Sequence, residues 1–304
     1  MNDLLKSLGL YMNEEQDKLN KFDRFGTFNL REIIDTGCKE YIFMIKPHLH
    51  IYQNSSGLDL NKELYSSTFF QELHKNNYGL LDQLQINVAR NRSPFINIFT
   101  NNLQNTADIP SITTDEIETS GNIYGTKLYF KGISFKSDEN VDFTLEFKED
   151  KDLRIYKLLK AWNIYNDLKS TGQVTPPDDG YYIRNKISHD KVGMYKFIVA
   201  SDGETILYYA YYWGVYPKGA PRETFSEFKG GVVTHSVEFH ADFVDDLDPL
   251  ILDDFNNIVY GYRTSLKRVP IYDTTNMRIN RDLAKIAFVE LNKDTKKYKL
   301  RWEE

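Results

Sequence analysis

Between residues 141 and 150 the chain reads VDFTLEFKED, and apolar and polar positions alternate without a break. Phe143, Leu145 and Phe147 fall on one side, and Asp142, Thr144, Glu146 and Lys148 on the other. Period 2 marks a β-strand with one buried face. The next segment, DKDLRIYKLLKAWNIYNDLKSTG (150–172), changes period. Ile155, Leu158, Leu159, Trp162 and Tyr165 recur at helical spacing, acidic residues open the segment and Gly172 closes it. That predicts an amphipathic helix of about four turns. GMYKFIVASDGETILYYAYYWGVYP (193–217) then reads as a hairpin turning at Ser201-Asp202-Gly203. Finally, THSVEFHADFV alternates again: Val237, Phe239, Ala241 and Phe243 on a face able to pack on the helix, Ser236, Glu238, His240 and Asp242 opposite.

The first third is patterned less regularly. KEYIFMIKPHLHIYQ (39–53) reads as a strand with Pro47 at a bulge or edge. Residues 60–85 carry helical spacing at Leu64, Phe69, Leu73, Leu80, Leu81 and Leu84, broken near Asn76-Asn77. Residues 93–111 read as a strand followed by a loop, 122–135 as strands and 170–190 as a loop, and there is no internal repeat. The expected fold class is α+β, mainly β: a sandwich or small barrel with one packed helix. It divides into an N-terminal extension (1–38), a β domain (39–254) with an insertion at about 54–120, and a basic C-terminal extension (255–304).

Composition sharpens this picture. The 21 Tyr and 19 Phe favour sheet and large interfaces. A net charge of −6 argues against a general nucleic-acid binder. The charge is segregated: 230–262 holds seven acidic residues and no Lys or Arg, whereas 263–304 holds 11 basic against 6 acidic residues. Such asymmetry is available to guide association across subunits. The single cysteine, Cys38, forbids an internal disulfide, fits a reducing compartment and reads as a packed thiol. The apolar run in MNDLLKSLGLYMN is too short for a signal peptide or membrane span and reads as an amphipathic helix or docking arm.

Catalytic and metal chemistry find little support. His48 and His50 would share a strand face, whereas His235 and His240, five apart, would point oppositely. Neither pair belongs to a zinc-ligand motif. DFVDDLDP lacks the glycine and the terminal glutamate of a calcium loop. There is no G-x-S-x-G, phosphate loop or G-x-G-x-x-G. The reading is therefore of a chain with no catalytic residue, no cofactor and no metal.

The order of the central elements resembles the tail tube proteins of long-tailed, especially contractile, bacteriophages. Three features carry the match over roughly 120–249. An alternating strand feeds a helix with an aromatic end, Trp162 and Tyr165. An aromatic-Gly-x-aromatic-Pro corner follows, Trp213-Gly214-Val215-Tyr216-Pro217. A last strand then alternates from Ser236 to Asp242. The chain is longer than a minimal tube protein at both termini, near 54–120 and at 170–190.

The resemblance implies a virion protein of the tail, assembled in the host cytoplasm. Six copies would form a ring, and rings would stack into a tube around the tape measure and DNA, with sheath or other tail proteins outside. Thr144, Glu146, Ser236, Glu238, His240 and Asp242 would then face the lumen as an acidic wall that repels phosphates. Trp162, Trp213, Tyr216, Phe239 and Phe243 would form core and interface. A tube initiator or tail-completion protein is a near alternative. The alternative of a different class is a carbohydrate-binding or glycan-hydrolysing β-sandwich, with YYAYYW (208–213) as its stacking platform.

Overall fold

The computed structural model describes residues 37–76, 79–86, 88, 93–107, 114–118, 127, 129–135, 139–174, 189–221, 233–266, 286–291 and 297–303. The strands are β1 (Lys39–Met44), β2 (Leu103–Ala107), β3 (Thr114–Glu118), β4 (Tyr129–Phe135), β5 (Glu139–Lys148), β6 (Val192–Val199), β7 (Ile206–Pro217), β8 (Thr234–Asp246), β9 (Ile286–Leu291) and β10 (Tyr298–Glu303). The helices are α1 (Thr68–Asn76), α2 (Asn97–Asn102), α3 (Arg154–Ser170) and α4 (Pro249–Leu266).

Six strands form one antiparallel sheet in the order β1-β6-β7-β8-β5-β2. It curls until its edges nearly meet. Thr106 on β2 donates to Glu40 on β1 at 2.5 Å, and Lys196 on β6 reaches the same carboxylate oxygen at 2.7 Å. The chain is thus mainly β with a barrel-like sheet, as its alternation predicts. β9–β10 and β3–β4 form separate two-stranded sheets.

The inner face of the sheet packs on α3 and on residues 49–103. Phe143, Leu145, Phe147, Val237, Phe239 and Ala241 share this core with Ile155, Leu158, Leu159, Trp162 and Tyr165. Both ends of α3 are tied. Gly172 at φ +72° closes it, with the Gly172 and Gln173 amides bonding the Lys169 and Leu168 carbonyls, a Schellman arrangement. At its start, Glu149 and Asp150 accept the free amides of Arg154, Ile155 and Tyr156.

A second core covers the other face of β1-β6-β7, and sequence alone did not anticipate it. α4 and β9–β10 pack Phe255, Val259, Val289 and Leu300 against Phe43, Tyr195, Phe197 and Tyr211. The residues read as a C-terminal extension thus build core. β6 is buried on both faces, so its residues are apolar on both sides apart from Lys196, whose ammonium pairs with Glu40. The start of α4 is encoded by Asp248-Pro249. The Asp248 carboxylate accepts the Leu250 amide at 2.9 Å, and proline suits the first helical position. The acidic run after β8 therefore ends as a helix cap.

Other expectations change. Regular pairing of the 39–53 strand stops at Met44, and Ile45, His48 and Tyr52 make only isolated bridges. The 93–111 strand is α2 followed by β2. Seating Phe99 on Phe147, with rings 4.9 Å apart, requires a helical turn there, so packing overrides local β-propensity. Cys38 is exposed, because it precedes the first sheet residue. Lys299 pairs with Glu204 and Arg301 with Glu290 in the same chain, so these basic residues are engaged internally. The N-terminal stretch before residue 37, residues 175–188 of the segment read as a loop over 170–190, and the FSEF segment lie outside the described residues.

The WGVYP stretch is no corner but the end of β7, and Gly214 makes a bulge in it. Met194 faces Tyr212 whereas Val192 faces Val215, so one extra residue is accommodated at φ +64°. The bulge flips the alternation. Tyr212 and Val215 both point into the core, and Trp213 turns outward. β8 follows its partner, so Phe243, opposite Trp213, leaves the face that packs on α3. A Cβ at Gly214 would run into the Asp242 side chain. Gly214→Ala is expected to cost about 1–3 kcal/mol, from left-handed backbone strain plus that collision, measured by urea unfolding. A variant as stable as the parent would contradict this account of the bulge.

Candidate functional site

The outer face of β5 and β8 carries the densest charge network among the residues singled out from sequence. Strand register builds it directly. Asp142 lies opposite His240, Thr144 opposite Glu238 and Glu146 opposite Ser236. The six residues read as lumen-facing thus fall on one surface, with Asp242 adjoining beyond His240. Asp142, Phe143, Thr144, Ser236 and Glu238 line an open depression on this face.

Two lysines from neighbouring strand ends reach into this face. Lys218, next after β7, bonds Asp142 at 2.6 Å and Glu238 at 2.7 Å, while its amide donates to the Glu238 carbonyl. Lys191, just before β6, bonds both Asp242 oxygens at 2.7 Å and lies 5.3 Å from the Tyr216 ring centre. His240 Nδ1 stands 2.7 Å from Asp142, and its ring lies 5.2 Å from Tyr216. The Lys218 ammonium and then the His240 ring hold the Asp142 carboxyl below its ordinary value, and Asp142 and then Glu238 raise Lys218. This face is accordingly charge-paired rather than simply acidic. Lys218 and Lys191 were missed because neither lies in an alternating segment; only pairing register brings them there.

The aromatic residues divide. Trp162 and Phe239 are fully buried, with the Trp162 indole donating to the Asp190 carbonyl at 3.2 Å. Tyr216 is half-buried against His240. Trp213 and Phe243 are 51% and 40% exposed and face each other across β7 and β8. Of YYAYYW, Tyr209, Tyr211 and Tyr212 are buried, which leaves Trp213 alone as a substantially exposed ring.

His48 and His50 are held through their backbone amides, and His235 through its ring. His235 is sealed beside Glu149, with Nε2 3.0 Å from its carboxylate. The His48 amide donates to the His189 carbonyl, and the His50 amide to the Tyr165 hydroxyl at 3.0 Å. Among the described residues, no three His, Cys, Asp or Glu side chains converge as a metal-binding group, and no helix is long and apolar enough to cross a membrane.

No protein-family model matches the chain, and no curated protein matches it significantly. Three solved structures illustrate its structural likenesses. The tube-terminating cap of an anti-feeding prophage has 13% identity and a TM-score of 0.28, covering 47% of this chain and 78% of that one. The sheath/tube terminator of an extracellular contractile injection system in its extended state has 13% identity and a TM-score of 0.28, covering 48% and 85%. A chain of the sheath–tube complex of such a system has 14% identity and a TM-score of 0.27, covering 47% and 79%. At these scores the likeness carries neither fold nor role across to this chain.

Proposed function

We propose that this chain is a structural subunit of a phage-tail-type assembly, a tube or tube-terminating component. It forms rings, hexameric in this reading, around a lumen. The observation that carries the proposal is the two-sidedness of β5 and β8. One face is packed into core, and the other is polar and half-buried to exposed from Asp142 to Glu146 and from Ser236 to Asp242. In a ring that polar face is the inner wall. DNA and tape measure pass along it, held off because Lys218 and Lys191 are already engaged by Asp142, Glu238 and Asp242. The role requires no catalytic residue and no cofactor, and it places the chain in the virion tail beside sheath or other tail proteins.

Electron microscopy of the purified protein tests this reading. Rings or hollow filaments are expected, with Glu238 and Asp242 on the lumen side of the reconstruction. A protein that stays monomeric at high concentration, or a ring with those residues outside, would overturn it.

A further inference from the structure

We infer that the β9–β10 ribbon is exchangeable between copies of this chain. The site that holds it, between α4 and the β6–β7 turn, takes the ribbon of a second copy in the same register. The inference rests on the fold alone and needs no ring, so it stands or falls separately from the reading above.

The ribbon is fastened at one cross-strand pair, Val289 of β9 opposite Leu300 of β10. The Val289 amide donates to Asn256 Oδ1, and Asn256 Nδ2 donates to the Val289 carbonyl, both at 2.8 Å. One side-chain amide of α4 thus makes the two bonds that a neighbouring strand would make. On the opposite edge the Leu300 amide donates to the Glu204 carbonyl at 2.7 Å, and Thr205 forms an isolated bridge with Lys299. Lys299 and Arg301 add ion pairs to the Glu204 carboxylate at 3.2 and 3.9 Å. Beneath, Val289 and Leu300 share a core with Tyr209, Phe255 and Val259, and the Trp302 ring lies 5.7 Å from Tyr41.

These contacts dock a ribbon without continuing the sheet. Among the described residues no ladder pairs the ribbon with the six-stranded sheet, only that isolated bridge. Leu291 and Trp302 remain 49% and 39% exposed. An element held by few backbone bonds opens locally at less cost than the whole fold. Residues 267–285, which join α4 to β9, number 19. A connection of that length can span up to about 60 Å, enough for the ribbon to leave its own site and enter one on a neighbour. Every copy carries the same site, so an exchanged ribbon regains every contact it gives up, and concentration sets the balance.

Disulfide trapping in the full chain, with the exposed Cys38 replaced by serine, tests the exchange. Thr205 and Lys299 face each other in a β-bridge, a separation that a disulfide can close. A chain carrying both Thr205→Cys and Lys299→Cys should close internally on mild oxidation, which checks the site itself. Two chains, one with Thr205→Cys and the other with Lys299→Cys, should form a covalent heterodimer when mixed, in a yield that rises with concentration. Asn256→Ala in both chains should speed its formation about tenfold, because two hydrogen bonds that keep the ribbon closed are lost. A Thr205→Cys chain mixed with a Glu238→Cys chain sets the background of random collision. A heterodimer yield no higher than that background at any concentration overturns the inference, and so does an Asn256→Ala pair that is no faster. Failure of the internal closure overturns the site on which the inference rests.

Discussion

Glu149→Ala is expected to destabilise the protein by about 3–5 kcal/mol, because it leaves several buried donors unpaired at about 1–3 kcal/mol each. Glu149 follows β5, with its side chain 1% exposed beside His235 of β8, which is 0% exposed. Its two oxygens accept the amides of Asp150, Ile155 and Tyr156, so one carboxylate caps α3 and holds it to two strands. Removing it orphans three backbone donors and strands the His235 ring, each a desolvated polar group. Burial pushes this carboxyl up, but the His235 ring and the Tyr156, Asp150 and Ile155 amides together outweigh it and hold the value below the ordinary 4.5. A depressed carboxyl contributes stability above its unfolded value and loses it as pH falls through the folded one. The parent should therefore weaken below about pH 4.5. Glu149→Gln should lack that component of the acid slope. Urea midpoints at pH 7 and pH 3.5 measure both effects. A loss under about 1 kcal/mol in Glu149→Ala, or an unchanged acid slope in Glu149→Gln, would refute the arrangement.

Neighbouring residues of β8 should differ sharply. Phe239→Ala is expected to cost about 3–5 kcal/mol, because truncating a buried ring leaves a cavity that its surroundings fill only partly. The Phe239 ring is fully buried against Phe143 at 5.8 Å, Phe99 at 6.2 Å and Phe147 at 6.5 Å. Glu238→Ala, one residue earlier on the exposed face, should shift stability by no more than about 0.5 kcal/mol, as surface changes usually do. Chemical denaturation of the two variants compares the faces directly. Similar losses at both positions would mean that the strand does not have one packed and one free face in solution.

β5, α3, the β6–β7 hairpin and β8 were legible because each is fixed by its own period, a hydrophobic alternation or a helical stripe closed by Gly172. The shared face of Thr144, Glu146, Ser236, Glu238, His240 and Asp242 was legible for the same reason, since alternation assigns a face without knowledge of the partner strand. α4 left a local signal in Asp248-Pro249 followed by Ile251, Leu252, Phe255 and Val259.

What periodicity cannot supply is register and the second layer. Pairing sets Asp142 against His240 and brings Lys218 and Lys191 onto the same face, turning a run of acids into an ion-paired surface. The bulge at Gly214 puts Val215 on the same face as Tyr212 and takes Phe243, opposite Trp213, off the face of Phe239 and Ala241, because one inserted residue exchanges the two faces of a strand. The sequence by itself therefore determined which elements form and which face of each is apolar, since both depend on neighbours within a few residues. Tertiary structure alone decided which charges meet, which aromatics are left outside and that the C-terminal residues close a second core. Those outcomes depend on contacts between residues far apart in the chain.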